Sequence, residues 1–512
     1  MQGHQSRVSA SASVRAMSEG IETAAVVSGR AGTAVVAGGS PATVAAAAAL
    51  LRAGGNAMDA ALAGMFASAM AEPVLSSLGG GGFCLHAAPG QPPQYLDFFV
   101  DTPGIGRDES AAAPMTSVRI VFGRPDDPQA EQVFHAGWSS VAVPGCFTGY
   151  LDAHARWGSL PLAQVVAPAI RLAREGIVLD PIQWDFLRLV VDVLAVTSDS
   201  AALYAPAMRG EPFRNPGYAD LLEAIADGAT MSSDIFATPL LAAMSSNGGL
   251  ITANDLHSYA PRLRQPLTMM REGAAIWTNP PPSFGGAIVL EALGEVAPAP
   301  IIDWARVAMS LRDATARNRA RNLTDSTTQV SRGTTSISVA DCDGFLVTCT
   351  TSNGSSSGTQ IDGVQLNNML GEEDLNPAGA HARPAGQRMS SMMTPTMVEQ
   401  ADGSRITFGS GGSERIRSAH VGVLARLIDS GSTLADSIAG PRVHATPEGV
   451  EVEPGIDPTV FASWSEVGRV RMWPQRDLYF GGVHAVGIDA EGRRHAVGDS
   501  RRGGVAEVIE PG

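Results

Sequence analysis

The pattern of apolar positions first identifies helices near the start of the chain. An alanine-rich run from Ala45 to Ala71 is broken by the polar segment Gly54 to Asn56. Glycine ends helices well, and Asn56 followed three residues later by Asp59 is typical of a helix N-cap. The run is too interrupted for a membrane span, which needs roughly 20 consecutive apolar residues. The pattern therefore predicts two buried helices separated by Gly54 and Gly55.

Both helical and extended periods continue along the rest of the chain. Helical spacing predicts helices at Leu162–Glu175, Ala219–Asp227 and Ile416–Asp429. Branched and aromatic residues interspersed with polar ones predict strands at Gln94–Val100, Val133–Val143, Ser404–Phe408, Gly449–Val452 and Val483–Ile488. Helices and strands in both halves of the chain predict a layered α/β architecture.

A change of pattern occurs at Thr334. The preceding segment, Asp313 to Gly333, is rich in Arg, Asn, Ser and Thr without an apolar period, which predicts an exposed and mobile stretch. From Thr335 to Ala340 apolar and polar residues alternate, and a turn at Asp343-Gly344 leads into a second predicted strand, Phe345 to Thr351. A hairpin is therefore expected to begin at Thr334.

Composition and charge narrow the classes of function. The 512-residue chain is 44% hydrophobic and 17% charged, which is typical of a soluble globular protein. Its formal net charge of −15 argues against a nucleic-acid partner, because phosphate binding needs a basic surface. The chain contains no lysine, so Schiff-base chemistry and a Walker A phosphate loop are excluded. Small molecules are the expected ligands.

Cysteine spacing and the N-terminus give further expectations. The four cysteines and ten histidines form no zinc or redox motif, so we expect buried thiols, no metal and no cofactor. Residues 1–31 are predicted to be a flexible tail. The first 39 residues lack the continuous apolar core of a secretory signal, which favours a cytoplasmic protein with no membrane partner.

The candidate chemistry centres on the segment Gly333 to Val339, in which a threonine opens a strand after a polar linker. A self-cleaving threonine hydrolase needs this arrangement, although strands that begin with threonine are also common in purely structural settings. Further motifs decide between these alternatives. In chain order they are Leu51–Ala61, Glu72-Pro73, Gly79–Phe83, Val143–Gly145, Ala167–Ile170, Pro280–Ser283, Leu366–Asn368, Ser390–Met392 and Arg501–Gly504.

This series of motifs, from about Gly38 to Gly504, resembles the γ-glutamyltranspeptidase family of N-terminal nucleophile (Ntn) hydrolases. The resemblance implies the four-layer αββα fold of that superfamily. It also implies a precursor that cuts its own Gly333–Thr334 bond, which gives segments 32–333 and 334–512 that interleave in one body. Thr334 would then be the nucleophile and its freed α-amine, with a pKa of roughly 7.7–8.0, the general base.

The same resemblance assigns other residues to the site. Gly411 and Gly412 match the glycine motif whose backbone N–H groups form the oxyanion hole. Ser390 and Ser391 match a serine pair that binds the substrate carboxylate, although their hydroxyls could also be structural. Polar groups near the nucleophile or the substrate ammonium are expected at Thr351, Ser352 and Asn353 and at the acids Glu372 and Glu373, with surface charge as the alternative for both acids.

Two positions depart from the family pattern. Phe99 stands where typical members have an arginine that binds the α-carboxylate of the glutamyl group, and phenylalanine cannot replace that contact. Ser336 stands where members have histidine. The sequence therefore predicts an acyl-transfer enzyme for γ-glutamyl or related amides. The alternatives are an amidohydrolase for a different acyl group and a non-cleaving relative that only binds a ligand.

Overall fold

The fold is described from a computed structural model. It covers residues 24–107, 113–124, 127–321, 333–372, 375–376, 379, 381–462 and 468–511, without the side chains of residues 120–132. The strands are β1 Ala25–Gly29, β2 Ala34–Gly38, β3 Gly81–Ala87, β4 Gln94–Phe98, β5 Thr116–Arg124, β6 Asp127–Ala136, β7 Arg262–Arg264, β8 Leu267–Arg271, β9 Ala274–Thr278, β10 Thr334–Ala340, β11 Leu346–Ser352, β12 Gln360–Ile361, β13 Val364–Gln365, β14 Thr396–Glu399, β15 Arg405–Gly411, β16 Val443–Thr446, β17 Gly449–Val452, β18 Arg469–Met472, β19 Gly482–Ile488, β20 Arg494–Gly498 and β21 Val505–Ile509.

The helices alternate with these strands. They are α1 Pro41–Arg52, α2 Ala57–Ala71, α3 Cys146–Trp157, α4 Leu162–Glu175, α5 Pro181–Leu189, α6 Val191–Leu194, α7 Ser198–Met208, α8 Pro216–Ala226, α9 Asp234–Asn247, α10 Ala253–Ser258, α11 Gly285–Gly294, α12 Trp304–Arg321, α13 Arg415–Leu424 and α14 Leu434–Ala439. In the described part of the chain, no helix is long and apolar enough to cross a membrane.

Two seven-stranded sheets form the centre of the molecule. One has the strand order β1-β20-β19-β15-β14-β9-β8, and the other β21-β2-β10-β11-β3-β4-β7. Each sheet contains strands from before and after Thr334. The pairing in both sheets is antiparallel, including β10 with β11 and with β2. The two parts of the chain are therefore built into the same two sheets.

The sheets stack face to face and helices cover their outer faces. Apolar residues such as Phe83 of β3, Met397 of β14 and Val486 of β19 share one buried cluster between the sheets. Helices α1 and α2 pack on the outside of the sheet that contains β10, while α13 and α14 pack on the other sheet. This arrangement confirms the predicted four-layer αββα fold.

The helix boundary predicted at Asn56 is confirmed. The Asn56 side chain accepts from the backbone N–H groups of Met58 and Asp59, and the Asp59 carboxylate accepts from the N–H of Asn56. Asp59 is fully buried and also accepts from the N–H and hydroxyl of Ser159 and from the N–H of Leu160. One carboxylate therefore caps α2 and fixes a second segment about 100 residues away.

The prediction of an exposed linker from Asp313 is wrong for its first nine residues. Helix α12 continues to Arg321, and Ala314 and Asn318 on one face are buried. Arg317 binds Glu291 and Glu295 of the neighbouring region, so the polar composition reflects a helix held by ion pairs. The remainder of the predicted linker, residues 322–332, lies outside the described residues.

Two other boundaries also differ from expectation. The predicted flexible tail, residues 1–31, is wrong for residues 25–29, which form β1. This strand pairs with β20, with Ala25 opposite Gly498. Residues 1–23 lie outside the described part. The strand predicted at Val133–Val143 ends at Ala136, because a 3₁₀ turn at Trp138–Ser140 redirects the chain. The division of the chain at residue 333 stays a prediction.

The Asp59→Ala variant should be strongly destabilised. The substitution leaves buried N–H and hydroxyl donors without their acceptor, and each such loss costs roughly 1–3 kcal/mol. We expect thermal unfolding monitored by circular dichroism to show a Tm several degrees lower than that of the parent. Asp152→Ala is the control, because Asp152 makes only a solvent-exposed pair with Arg156 and should change Tm little. Equal Tm shifts in the two variants would contradict this account.

Candidate active site

The β10–β11 hairpin positions the predicted nucleophile. Antiparallel pairing sets Thr334 opposite Ser352, at the first residue of one strand and the last of the other. The buried Thr334 hydroxyl donates to Ser352 Oγ at 3.3 Å, and the Ser352 hydroxyl donates to the carbonyl oxygen of Gly333 at 2.6 Å. A short chain of hydroxyls thus links the candidate nucleophile to the carbonyl that precedes it.

The Gly333 carbonyl receives a second donor from the end of the same hairpin. The backbone N–H of Asn353 lies 3.2 Å from the Gly333 oxygen. Two donors on one carbonyl stabilise negative charge on its oxygen, as an attack on the Gly333–Thr334 bond requires. A Cβ at Gly333 would lie 1.8 Å from the backbone oxygen of Gly354, so only glycine fits before Thr334.

The glycine loop predicted to form the oxyanion hole lies against Thr334. It connects the end of β15 with the start of α13. A Cβ on Gly411 would lie 2.3 Å from the Thr334 carbonyl oxygen, so this close approach requires glycine. Gly412 has a φ of +131° and lies against Gly481, where a Cβ would come within 2.8 Å of the Cα. The structure therefore places Gly411 against Thr334, the candidate nucleophile, and Gly412 next to it in the same loop.

A cavity opens in front of Thr334. It encloses about 340 Å³ that atoms do not fill, part of it open to solvent. Its wall is mainly apolar, and its polar members are hydroxyls. The lining residues are Phe99, Thr334, Ser352, Met369, Leu375, Ser391, Met392, Met393, Ser413 and Ile416. The cavity suits a hydrocarbon-rich group next to the hydroxyl of the candidate nucleophile.

Some predicted substrate-binding residues line this cavity and others lie beside it. Ser352 and Ser391 are in its wall, and Ser390 is adjacent, with its hydroxyl accepting from Arg383 at 2.9 Å. Asn353 is fully buried behind Thr334, and its Nδ2 makes a long contact of 3.5 Å with the carbonyl of Leu366.

Thr351 and Glu372 are directed elsewhere by local structure. Side chains alternate across a strand, so Thr351 faces away from Ser352 and its hydroxyl contacts Met65 of α2 and Ser76. The buried Glu372 carboxylate accepts from the N–H of Ser355 at 3.1 Å and so fixes the loop after β11. Neither residue lines the described cavity, and their contact with the substrate stays a prediction. Glu373 lies outside the described residues.

Comparison with known proteins identifies the family. The family model described as Gamma-glutamyltranspeptidase matches residues 43–298 and 301–509. The chain belongs to this family. The glutathione hydrolase proenzyme of Escherichia coli (strain K12) is 28% identical over 482 residues, which cover 80% of each chain. The acylase ACY 1 proenzyme of Pseudomonas sp. (strain SE83) is 29% identical over 528 residues, 92% of this chain and 93% of that protein.

A solved structure shares the fold along the whole chain. Cephalosporin acylase from Bacillus halodurans superposes with a TM-score of 0.74 at 23% identity, and the match covers 100% of both chains. The curated relatives named above are enzymes of two kinds, a glutathione hydrolase and an acylase. The prediction that the chain is an enzyme of the gamma-glutamyltranspeptidase family is confirmed.

Phe99, where the resemblance predicts an arginine, makes this part of the cavity wall apolar. Its ring lines the cavity, stacks on Phe83 at 5.5 Å between centroids and is only 1% exposed. Arg107, the nearest candidate substitute in sequence, donates to the carbonyl of Gly249 and does not line the cavity. The wall at this point is therefore hydrocarbon.

The second departure, Ser336, lies between the two sheets. Its hydroxyl donates to the carbonyl of Cys349 and accepts from Thr350 of β11 at 3.2 Å. A Cβ on Gly409 of the facing sheet would lie 2.1 Å from the Ser336 oxygen. The space for a side chain at residue 336 is small, and serine fits it with its hydroxyl bonded.

Two charged residues near Thr334 were not singled out individually from the sequence, although each belongs to a matching motif. Glu72 is fully buried and accepts from Thr43 at 2.6 Å and from the hydroxyl of Thr335, next to the nucleophile. Burial raises the pKa of Glu72 to about 7, although the two hydroxyl donors partly offset this rise.

Arg502 is the second of these charged residues, and it packs against the glycine loop between β15 and α13. A Cβ on Gly411 would be 3.0 Å from its Nη1, and neither Nη nitrogen has a hydrogen-bond partner within the described residues. Burial, together with the nearby Arg415, lowers the pKa of Arg502 to about 9. A buried cation here favours negative charge that develops near the loop. No group of described His, Cys, Asp and Glu residues could hold a metal ion.

The raised pKa of Glu72 predicts a pH-dependent stability difference. The folded protein holds this proton more tightly than the unfolded chain, whose glutamate pKa is near 4.5. Its stabilisation is therefore fully present below pH 4.5 and is lost as the pH rises through about 7, a change of about 3 kcal/mol. Because Glu72→Gln cannot titrate, the Tm of the parent minus that of Glu72→Gln should fall between pH 4.5 and 8.

Differential scanning fluorimetry across that pH range provides the measurement. Glu175→Gln, which changes an exposed acid on α4, is the matched control and should give a difference that does not depend on pH. A difference for Glu72→Gln that stays constant from pH 4.5 to 8 would show that Glu72 does not titrate in this range.

Proposed function

We propose that this protein is a self-processing threonine amidohydrolase that forms an acyl-Thr334 intermediate. The observation that carries the proposal is the set of contacts around the Gly333 carbonyl, which lies between two donors beside the Thr334 hydroxyl. The same chain of hydroxyls serves the precursor before the cut and borders the substrate cavity after it.

Self-cleavage would proceed by acyl shift. Thr334 Oγ attacks the carbonyl carbon of Gly333, and Ser352 and the Asn353 N–H stabilise the oxygen as it becomes negative. As the C–N bond breaks, the hydroxyl proton passes to the Thr334 nitrogen, which transfers the Gly333 acyl group to Thr334 Oγ and frees the amine. Water then hydrolyses the ester, which leaves a carboxylate on Gly333 and a free threonine at the new N-terminus.

Catalysis would repeat the attack on an external amide. The free α-amine, whose pKa is ordinarily about 7.7–8.0, takes the proton from Thr334 Oγ as the hydroxyl attacks the substrate carbonyl. The backbone around Gly411 and Gly412 would hold the oxyanion. The amine product leaves with a proton, and water or an amine acceptor then releases the acyl group from Thr334.

The substrate we favour is an amide whose acyl group is not γ-glutamyl. Phe99 and the methionine, leucine and isoleucine side chains of the wall bind hydrocarbon, and none of the described lining residues is charged. A γ-glutamyl group carries an ammonium as well as a carboxylate, and no acidic side chain among the described lining residues matches the ammonium.

A γ-glutamyl amide is the second candidate. Ser391 lines the cavity with Ser390 beside it, and relatives of this chain include a glutathione hydrolase. The two candidates share the nucleophile and differ only in the acyl group.

Intact-mass analysis tests the processing step. The purified protein should consist of two fragments, about two thirds and one third of 53.0 kDa, the smaller beginning with Thr334. Thr334→Ala should remain one chain, and Thr334→Ser should still cleave because it keeps a hydroxyl. Ser352→Ala should slow cleavage by roughly 10²-fold or more, since it removes one donor from the Gly333 oxygen. An uncut parent would refute self-processing.

Phe99→Arg tests the choice of acyl group. In the parent, kcat/KM for pentanoyl-p-nitroanilide should exceed that for L-γ-glutamyl-p-nitroanilide. A guanidinium in this wall should raise the γ-glutamyl to pentanoyl ratio by about 10-fold or more, as a charged hydrogen bond contributes roughly 1.5–3 kcal/mol. Phe99→Leu is the control, because it keeps the wall apolar. A parent that prefers the γ-glutamyl substrate would favour the second candidate.

A further inference from the structure

Of the described arginines near the cavity wall, Arg388 and Arg417 are paired with carboxylates. Arg388 is almost fully buried below Phe99 and binds Asp97 at 2.9 Å and Asp101 at 2.7 Å. Two carboxylates hold its guanidinium, and the Tyr259 hydroxyl and backbone carbonyls accept its other hydrogens. This arginine stabilises the fold and has no capacity left for a ligand.

Arg417 is the second of these arginines. Its Nη1 lies 3.6 Å from the sulfur of Met392, a residue in the cavity wall, and its Nη2 lies 3.4 Å from the carboxylate of Glu414. The guanidinium is therefore paired with an acid and separated from the cavity by the methionine side chain.

Arg383 differs from both because no carboxylate in the described part of the chain accompanies it. Its Nη2 donates to the carbonyl of Leu375 at 2.8 Å and to the hydroxyl of Ser390 at 2.9 Å. Leu375 lines the cavity and Ser390 precedes the lining residue Ser391, so the guanidinium lies beside the wall and is bonded to two segments of it. Its Nε and Nη1 make no hydrogen bond to any described residue. Partial burial without an acid nearby lowers the pKa of Arg383.

We propose that Arg383 binds a carboxylate on the acyl group of the substrate and so determines specificity. It would take the role that the resemblance gives to an arginine at position 99, but from a different segment of the chain. The argument rests on the function proposed above. Arg383 is half-buried, has no carboxylate partner among the described residues and is bonded to Ser390 of the serine pair. A guanidinium fork matches a carboxylate with two parallel hydrogen bonds.

The rest of the wall limits what lies between that carboxylate and the amide. Phe99, Met369 and Ile416 suit methylene groups, and no acidic side chain lines the described cavity to hold an ammonium. The preferred donor is therefore the amide of a dicarboxylic acid, with a hydrocarbon chain against the apolar wall and a free carboxylate at Arg383.

Matched substrates and variants test this proposal. We would measure kcat/KM for the p-nitroanilides of succinate, glutarate and adipate, each beside its methyl ester, which removes the charge and keeps the chain. The processed parent should prefer at least one free acid over its ester by about 10- to 100-fold, mainly through KM. In Arg383→Met and Arg383→Gln this acid-to-ester ratio should fall close to one. Arg383→Lys should retain part of it.

Arg188→Met is the control, because Arg188 is exposed on α5 and stacks on Trp184. It should keep the parent ratio. A purely structural role for Arg383 would lower activity on acid and ester alike and leave the ratio unchanged, which would overturn the proposal. A parent enzyme that prefers the esters over the free acids would also overturn the proposal, without any Arg383 variant. Turnover of neither substrate by processed enzyme would instead refute the proposed function.

Discussion

The pairing of β10 with β11 is the constraint on which the candidate site depends. It sets Thr334 opposite Ser352 at the open end of the hairpin and leaves the Gly333 carbonyl within reach of two donors. Because the hairpin lies in the middle of a sheet, its neighbours β2 and β3 hold it on both sides. The geometry of the Gly333 carbonyl is thus a property of the sheet as a whole.

The alternation of side chains in this hairpin divides the polar residues between two environments. Thr334 and Ser336 face the second sheet and its glycines, whereas Thr335 faces the helical layer, where Glu72 accepts its hydroxyl. A sequence rich in Thr and Ser is therefore consistent with a buried strand, because each of these hydroxyls donates to an acceptor on the paired strand or in the helical layer. The site is therefore polar at Thr334 and Ser352, whereas most of the rest of the cavity wall is hydrocarbon.

Much of this could be predicted from the sequence, because the relevant signals are local. The hairpin turn, the Asn56 cap and the glycine next to the scissile bond all depend on neighbouring residues. The errors came from distant partners. Nothing near Asp313 in the chain shows that Glu291 and Glu295 hold the arginines of α12. The orientation of Thr351 depends on the register of β11, and a shift of one residue reverses it.

Arginine is the only fixed cation in the chain, and the structure uses it in two ways. Within the motif Arg501–Gly504, Arg501 is buried between Asp499 and Glu453, so that its charge is cancelled and its role is architectural. Its neighbour Arg502 has no hydrogen bond from either Nη nitrogen to a carboxylate in the described part of the chain. Adjacent residues in one motif therefore contribute separately to folding and to the electric field at the site.

The interleaving of strands in both sheets affects how the protein could refold after a chain break. The precursor folds as one chain, so the pairing of β2 with β10 is an intramolecular event. A break before Thr334 would turn the same pairing into an association of two polypeptides. Unfolding would then separate two polypeptides, and their reassociation would depend on protein concentration. The lifetime of the cleaved protein would therefore depend on a slow unfolding rate rather than on efficient refolding.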